Sequence, residues 1–352
     1  MRRVVATLAG AVLLAGAVSQ AGRIKVTETA GIAREFEPVT VTAGGAERTV
    51  YVTVGARRSR TLRLDQAKAG DQVRVTETDR VGCVVENSVF RADLTKRVVN
   101  DREEDNGTLR GLTYKEFNVT LRRTQNRMHW APSFQRSTEK SYKGIGTWHP
   151  VQKFQRAITP ELFLFTREGH HQDYPEIRLE AEYRFFAHVP YFLFRSAMSI
   201  EKPLELYWLR NQEMTMDSSF THVAWPGADG KPRVVTFDER APILEKSPIA
   251  ADTPWVAFVN QDAGYGYGAV VLDYKASKTA GRAITSINDG VNNGKYWDRR
   301  LINQVNTPVV PGDRWEERTA YVLFRARREA PLGEFLDWEK KLRNPLKVEL
   351  LP

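Results

Sequence analysis

Between Leu204 and Pro226 the chain reads LELYWLRNQEMTMDSSFTHVAWP, and this stretch holds the densest chemistry. Arg210, Asn211, Glu213, Asp217 and His222 fall within thirteen residues, flanked by Tyr207, Trp208, Phe220 and Trp225. Aromatic rings stack on the apolar face of a pyranose, while fixed charged and imidazole groups pair with hydroxyls or a carboxylate. The stretch has what a sugar-binding cleft needs, on a strand, a polar turn and a second strand. Taken singly, each residue fits an ordinary hairpin with a polar loop equally well.

Three further segments add candidates. From Gln125 to Pro160 strand alternation gives way to NRMHWAPSFQRS and KSYKGIGTWHPVQK, dense in Gly, Pro, Trp and His. A long aromatic loop in a β domain is a place for function, so His129, Trp130, Tyr142, Trp148 and His149 are candidates. His170 and His171 precede Asp173, Tyr174 and Glu176. Adjacent residues of an extended chain point to opposite sides, so one metal does not take both histidines. Neither an HxH strand pair nor an HExxH helix is present; a divalent metal is compatible with the set but not required by it. SINDGVNNGKYWDRRL carries Trp297 and Arg299 beside Asp289, Lys295, Tyr296 and Asp298. In GYGYG the phosphate-loop Gly-Lys-Ser/Thr ending is missing. Its glycines are expected to let two strands approach, with Tyr265 or Tyr267 facing the cleft. Cys83, the only cysteine, sits in apolar VGCVVEN and reads as a small buried hydrophobe.

The elements that must position these residues are strands. IKVTET, EPVTVTA, RTVYVTVG, RTLRLD and QVRVTETD alternate apolar and polar residues between turns. In YPEIRLEAEYRFF, Leu179, Ala181, Tyr183 and Phe185 face one way, and Arg178, Glu180, Glu182 and Arg184 the other. Leu332, Phe335, Leu336, Trp338 and Leu342 recur at helical spacing. The pattern predicts an all-β chain: a small N-terminal β-sandwich over residues 22–82, then a large antiparallel β-supersandwich over 83–352 with one C-terminal helix.

Residues 1–21 read as a secretory signal, with Arg2 and Arg3, an apolar run to Val18, and Ser19 and Ala21 before the cleavage point. A secreted or periplasmic location follows, with no membrane attachment after cleavage. The 352 residues carry a net charge of +9. An exported basic chain suggests an anionic polysaccharide or oligosaccharide partner. Its Lys and Arg are scattered among acids, which argues against nucleic acid.

YPEIRLEAEYRFFAHVPYFLFRSAMSI and WVAFVNQDAGYGYGAVVLDY resemble the β-supersandwich of galactose-mutarotase-like domains, found in aldose epimerases, polysaccharide lyases and some glycoside hydrolases. GIAREFEPVTV resembles the opening of small β domains in secreted lyases of the rhamnogalacturonan-lyase kind. The likeness covers about residues 83–325, and no family's catalytic residues map onto it position by position. It implies a carbohydrate-active protein, with a lyase for uronic-acid-containing glycans as the leading reading. β-Elimination needs a cation on the uronate, a base for the C5 proton and an acid for the leaving oxygen. Arg123, Arg210 and Arg299 suit the first role, His171, His149 or His222 the second, and Tyr174 or Tyr142 the third. Trp130, Trp148, Trp225, Tyr267 and Trp297 would line the subsites. A hydrolase would use Glu213 and Asp217, ~13 Å apart on one extended strand at ~3.3 Å per residue and closer only across a turn. A mutarotase or a non-catalytic glycan binder completes the alternatives.

Overall fold

The computed structural model describes residues 22–43, 45–64, 72–99, 102–104, 107–122, 129, 131–215, 219–238, 249–280, 284–290 and 294–351. The chain opens with β1 (Arg23–Thr27), β2 (Arg34–Ala43), β3 (Ala46–Val54) and β4 (Ser59–Arg63). Short strands follow: β5 (Arg74–Glu77), β6 (Cys83–Glu86), β7 (Phe90–Asp93), β8 (Arg97–Val99), β9 (Arg102–Glu104), β10 (Gly111–Tyr114), β11 (Val119–Arg122), β12 (Ser133–Gln135), β13 (Lys143–Gly144) and β14 (Lys153–Ile158). Longer ones come next: β15 (Leu162–His171), β16 (Tyr174–Phe186), β17 (Tyr191–Ile200) and β18 (Leu204–Thr215). Then come β19 (His222–Pro226), β20 (Pro232–Thr236), β21 (Trp255–Asn260), β22 (Tyr265–Ala276), β23 (Ile284–Gly290), β24 (Gly294–Val309) and β25 (Arg314–Arg325). The helix α1 (Gly333–Arg343) and β26 (Lys347–Leu351) end the chain.

A nine-stranded sheet, ordered β14-β15-β16-β17-β25-β22-β21-β19-β20, is the platform. Two five-stranded sheets, β11-β10-β7-β6-β5 and β13-β12-β18-β24-β23, cover one of its faces. The all-β expectation and the supersandwich both hold. On β16 Leu179, Ala181, Tyr183 and Phe185 are buried, as the alternation required, together with Tyr174, Ile177 and Phe186. The opposite face carries an ion ladder, in which Arg178 pairs with Glu168 and Arg195 with Glu316 and Glu180.

The buried face divides into apolar clusters. Cys83, Phe90 and Leu112 pack with Phe163, Phe185 and Phe192, whereas Phe134, Leu209 and Ile302 pack with Leu179, Met198 and Trp315. Cys83 is indeed a buried hydrophobe, its thiol pushed up to about 12 by burial. The glycines of GYGYG serve rings and not strand approach: a Cβ on Gly268 would stand 2.3 Å from the Phe335 ring, and one on Gly266 2.1 Å from Phe324. Residues 125–160, expected as one irregular loop, include β12, β13 and β14. Leu204–Pro226 does give two strands, but β18 and β19 belong to different sheets, so it is no hairpin.

In the N-terminal unit a sheet ordered β26-β1-β4 packs on the β2–β3 hairpin around Ile24, Val26, Val41 and Val52. Its third strand comes from the far end of the chain. β5 pairs with β6 across residues 82–83, where the sequence reading placed a domain division. Arg34 joins this unit to α1. Its side chain is buried, 2.7 Å from Glu37 and 3.7 Å from Glu28, and it donates to the carbonyls of Lys341 and Asn344 at the helix end. A cation there also suits the negative end of the helix dipole. Burial would raise the Glu28 carboxyl, but the N–H groups of Arg57, Ala30 and Gly31 hold it down to about 2. Arg34→Met would strand two acids and two carbonyls. We expect a loss of about 3–5 kcal/mol by urea unfolding; a change within the noise would show that the unit is held by its apolar core alone.

Candidate functional site

Residues expected in one cleft lie on opposite faces of a single sheet. β18 and β24 pair antiparallel, with register shifts on either side of Arg210. Asn211 is an extra residue on β18 and Leu301 on β24, since Arg210 faces Arg300 while Gln212 faces Arg299 and Leu209 faces Ile302. Leu209, Gln212, Trp297 and Arg299 point at the nine-stranded sheet. Trp208, Arg210, Glu213, Tyr296, Asp298 and Arg300 gather on the other face.

On that outer face Arg210 is the centre. Its Nη1 donates to Glu213 Oε2 at 3.0 Å and its Nε lies 3.1 Å from Asp298 Oδ2. Asp298 also accepts from Arg300 Nε at 3.0 Å and from Ser286 Oγ at 2.6 Å. Three rings surround the guanidinium, with Trp208, Tyr142 and Tyr296 centred 4.9, 5.3 and 5.7 Å away. Tyr142 comes from the β12–β13 turn, and β12 pairs with β18 so that Ser133 stands opposite Arg210. Burial alone would lower the Arg210 pKa, but Glu213 and Asp298 hold it above the usual arginine value. Two arginines face each other here, a repulsive pairing that Asp298 offsets by bridging both. Tyr142 and Tyr296 are half-buried, so the array reaches the surface.

The inner face carries a polar layer between the two apolar clusters. Ala181, Ser196, Glu317 and Tyr274 occupy one cross-strand row. Gln212 Nε2 donates to Thr319 Oγ1 at 2.6 Å, Thr319 Oγ1 to Glu317 Oε2 at 2.9 Å, and Ser196 Oγ to Glu317 Oε1 at 3.4 Å. Arg299 donates through Nη2 to the Thr253 carbonyl and stacks on Tyr274, 4.5 Å from the ring centre. Asn211 lies against the Tyr274 hydroxyl. Beyond Tyr321 lies His129, with ring centres 4.2 Å apart.

The remaining expected residues do not join either array. His171 is buried, its Nε2 against Thr147 Oγ1 at 3.2 Å and its Nδ1 accepting from the Asp173 N–H. Tyr174, also buried, donates to Glu139 and accepts from the Arg136 N–H at 2.8 Å, under the Arg136 guanidinium. Both support the β15–β16 turn, which corrects their assignment as base and acid. Trp148 is buried, donating to Gln152 at 3.2 Å, and its neighbour His149 is bound through its N–H to Gln172. His222 lies on β19, near the far edge of the nine-stranded sheet, its Nδ1 on Thr221 Oγ1 at 2.8 Å. Trp225, Tyr267 and Trp297 are wholly buried and form no sugar platform. Arg123, Trp130 and Asp217 lie outside the described residues. Among the described residues no group of three His, Cys, Asp or Glu side chains could hold a metal. A groove of about 250 Å³ between β2, α1 and the outer side of the nine-stranded sheet contains none of the expected residues.

Sequence reasoning missed Asp298, Tyr296 and Arg300 as site residues because it chose the odd-numbered members of YWDRR. The signal was their alternation, in which the neighbours of Trp297 and Arg299 must face the other way.

No protein-family model matches the chain, and no curated protein matches it. Among solved structures, an α-mannosidase from Enterococcus faecalis superposes with a TM-score of 0.54 at 8% identity, over 94% of this chain and 46% of its own. A galactose mutarotase-like protein from Lactobacillus casei gives 0.42 at 10% identity, over 69% of this chain and all of its own. This chain resembles galactose-mutarotase-like proteins. A TPR-domain protein from Parabacteroides distasonis gives 0.38 at 12% identity over 89% of the chain, which spans 55% of that protein's length. The chain therefore covers about half the length of the mannosidase and of the TPR protein. At such identities the likeness is one of fold.

The inner layer should leave a mark on stability. An ordinary glutamate titrates at 4.5; burial raises Glu317 to about 8, against the opposing effects of Thr319 and Arg299. Between those values the folded chain holds a proton that the unfolded chain has lost. The stability Glu317 contributes is whole below its unfolded pKa and is lost as pH rises through its folded one. His171 acts in the opposite sense: burial lowers it from 6.5 to about 4, so its share is lost as pH falls through that window. Thermal melts from about pH 5 to about pH 9 should show stability falling at the alkaline end. Glu317→Gln should remove most of that fall, and an equally steep variant would assign it to another group.

Proposed function

We propose that this chain is a carbohydrate-active β-supersandwich protein that holds a sugar ring against Tyr142 and Tyr296. The arrangement of Arg210 carries the reading: its N–H edge is held by Glu213 and Asp298 while aromatic rings surround it. Such a network is rigid, and beneath the half-buried Tyr142 and Tyr296 it fixes two rings as stacking surfaces, one need of sugar recognition. The α-mannosidase that shares the fold fits a carbohydrate partner.

The finer lyase reading asks for a cation ready to take a uronate and a base beside it. On the outer face Arg210 and Arg300 already share Asp298, and the two Arg and two carboxylates sum to no net charge. His171 and His222 are engaged elsewhere. Neutral hydroxyl recognition suits this face better than elimination. Glu213 and Asp298 stand directly opposite each other, which replaces Glu213 and Asp217 as the hydrolase pair to test. Both are tied to Arg210, an arrangement that suits hydrogen-bond acceptors more than a mobile proton donor.

An anionic partner belongs to the same proposal but to a different surface. On the exposed side of the N-terminal sheet Arg23 stands opposite Arg63, beside Lys25 and Lys347, with Arg57 and Arg58 at the adjoining turn. Glu349, 3.9 Å from Lys25, is an acid paired with that row. An acidic polymer outside the cell, reached by secretion or export to the periplasm, is the partner this surface suits.

Glycan arrays with parallel reducing-end and ultraviolet assays test both surfaces. Tyr142→Ala and Tyr296→Ala should each weaken binding of a neutral oligosaccharide about 10-fold, for roughly 1 kcal/mol per lost stack. That binding should survive about 0.5 M salt, where charges are screened within a few ångström. Arg23→Glu should weaken only acidic polymers, and only at low salt. Unsaturated product that disappears in neither tyrosine variant would place the chemistry elsewhere and overturn the assignment of this face.

A further inference from the structure

We propose that the inner polar layer is a binding site for a small monovalent anion, a halide or a carboxylate, held between Arg299 and Tyr321. The inference does not depend on the sugar reading, since it concerns the opposite face of the sheet.

Arg299 is 1% exposed, yet among the described residues no carboxylate forms an ion pair with it. It uses Nη2 on the Thr253 carbonyl and stacks on Tyr274, while its Nε–H has no acceptor. A buried cation without a counter-charge is costly, and proteins neutralise it or pair it. Glu317 and Asp252 are the acids that act on it, but neither forms an ion pair with the guanidinium, and the Glu317 carboxyl is satisfied by Thr319 and Ser196. Burial also keeps Glu317 protonated at neutral pH, which leaves the positive charge of Arg299 standing.

The groups around Arg299 are donors. The Tyr321 and Tyr267 hydroxyls, with rings 6.0 Å apart, and the Trp297 Nε1–H are buried without acceptors. His129, beside Tyr321, is kept neutral by burial, its pKa lowered to about 3, and its Nε2 meets no partner. Gln212 Oε1 and Asn211 Oδ1 are acceptors left over in the same layer, with Asn211 Nδ2 a further donor. Buried polar atoms are nearly always satisfied, so an excess of orphan N–H and O–H groups around an unpaired guanidinium describes an anion. Ala181 and Ser196, short side chains in the row of Glu317, keep the sheet face low beside it.

The test uses the whole protein and bromide. Crystals soaked in sodium bromide should show anomalous density within hydrogen-bond reach of Arg299 Nε and the Tyr321 hydroxyl. In solution, chloride should raise the melting temperature above that in sodium sulfate of equal ionic strength. Tyr321→Phe, which removes one hydroxyl and little volume, should weaken the apparent chloride affinity about 10-fold, as loss of a hydrogen bond to a charge does. Formate and glucuronate compete with bromide in parallel soaks. Displacement by formate alone identifies a free small anion, and displacement by glucuronate a carboxylate borne on a sugar; either supports the site. Bromide confined to the surface, or a chloride response unchanged in Tyr321→Phe, overturns it.

Discussion

A β-strand shows alternate side chains to its two faces, and in β18 and β24 both faces carry charge. Everything chemical in this protein depends on that pairing. The extra residues Asn211 and Leu301 break the alternation at one place, and there Arg210 comes to face Arg300 with Asp298 between them. Without the local shift, the charged set of the outer face and the polar set of the inner face would be differently divided. Bulges of this kind re-aim side chains, and here they concentrate four charges on one side while sending Gln212 and Arg299 to the other.

The inner layer is expensive to bury, and its neighbours support the expense. Apolar clusters lie to either side of it, one around Phe134, Leu209 and Trp315, the other around Phe185, Phe192 and Tyr321. Close packing on both sides pins the polar row in place, which is why Glu317 can be held protonated instead of finding water. The same fold treats Arg34 differently. That buried cation meets Glu37, Glu28 and two helix-end carbonyls, so its interactions are spent on joining the first and last segments of the chain. Of these two buried arginines, Arg34 is paired with acids, and Arg299 forms no ion pair among the described residues.

Charge also separates by surface. The positive balance that suggested an anionic partner is not concentrated where the aromatic rings are, because acids neutralise the outer-face arginines there. It is displayed instead on the N-terminal sheet, completed by β26 from the other end of the chain. A sugar platform and a basic docking surface are therefore distinct parts of one molecule in the proposed reading, able to act on different portions of a glycan.

Much of the architecture could be read directly from the sequence, because burial of one strand face imposes a two-residue period and burial of one helix stripe a 3.6-residue period. Leu179, Ala181, Tyr183 and Phe185 identified β16, and Phe335 with its neighbours identified α1. Arg210, Glu213 and Tyr142 could be singled out because their types stand out locally, and the structure brings them together. The partners that complete the array were not singled out. Asp298 and Tyr296 reach Arg210 through a register that shifts on either side of it, and pairing register is a property of two strands far apart in sequence. His171 and Tyr174 have the residue types of catalysis, but packing against Phe134 and bonds to Thr147 and Glu139 commit them to supporting a turn. Composition and periodicity determined what the chain is built from; which face each polar side chain serves was decided only when the strands paired, since a single inserted residue reverses it.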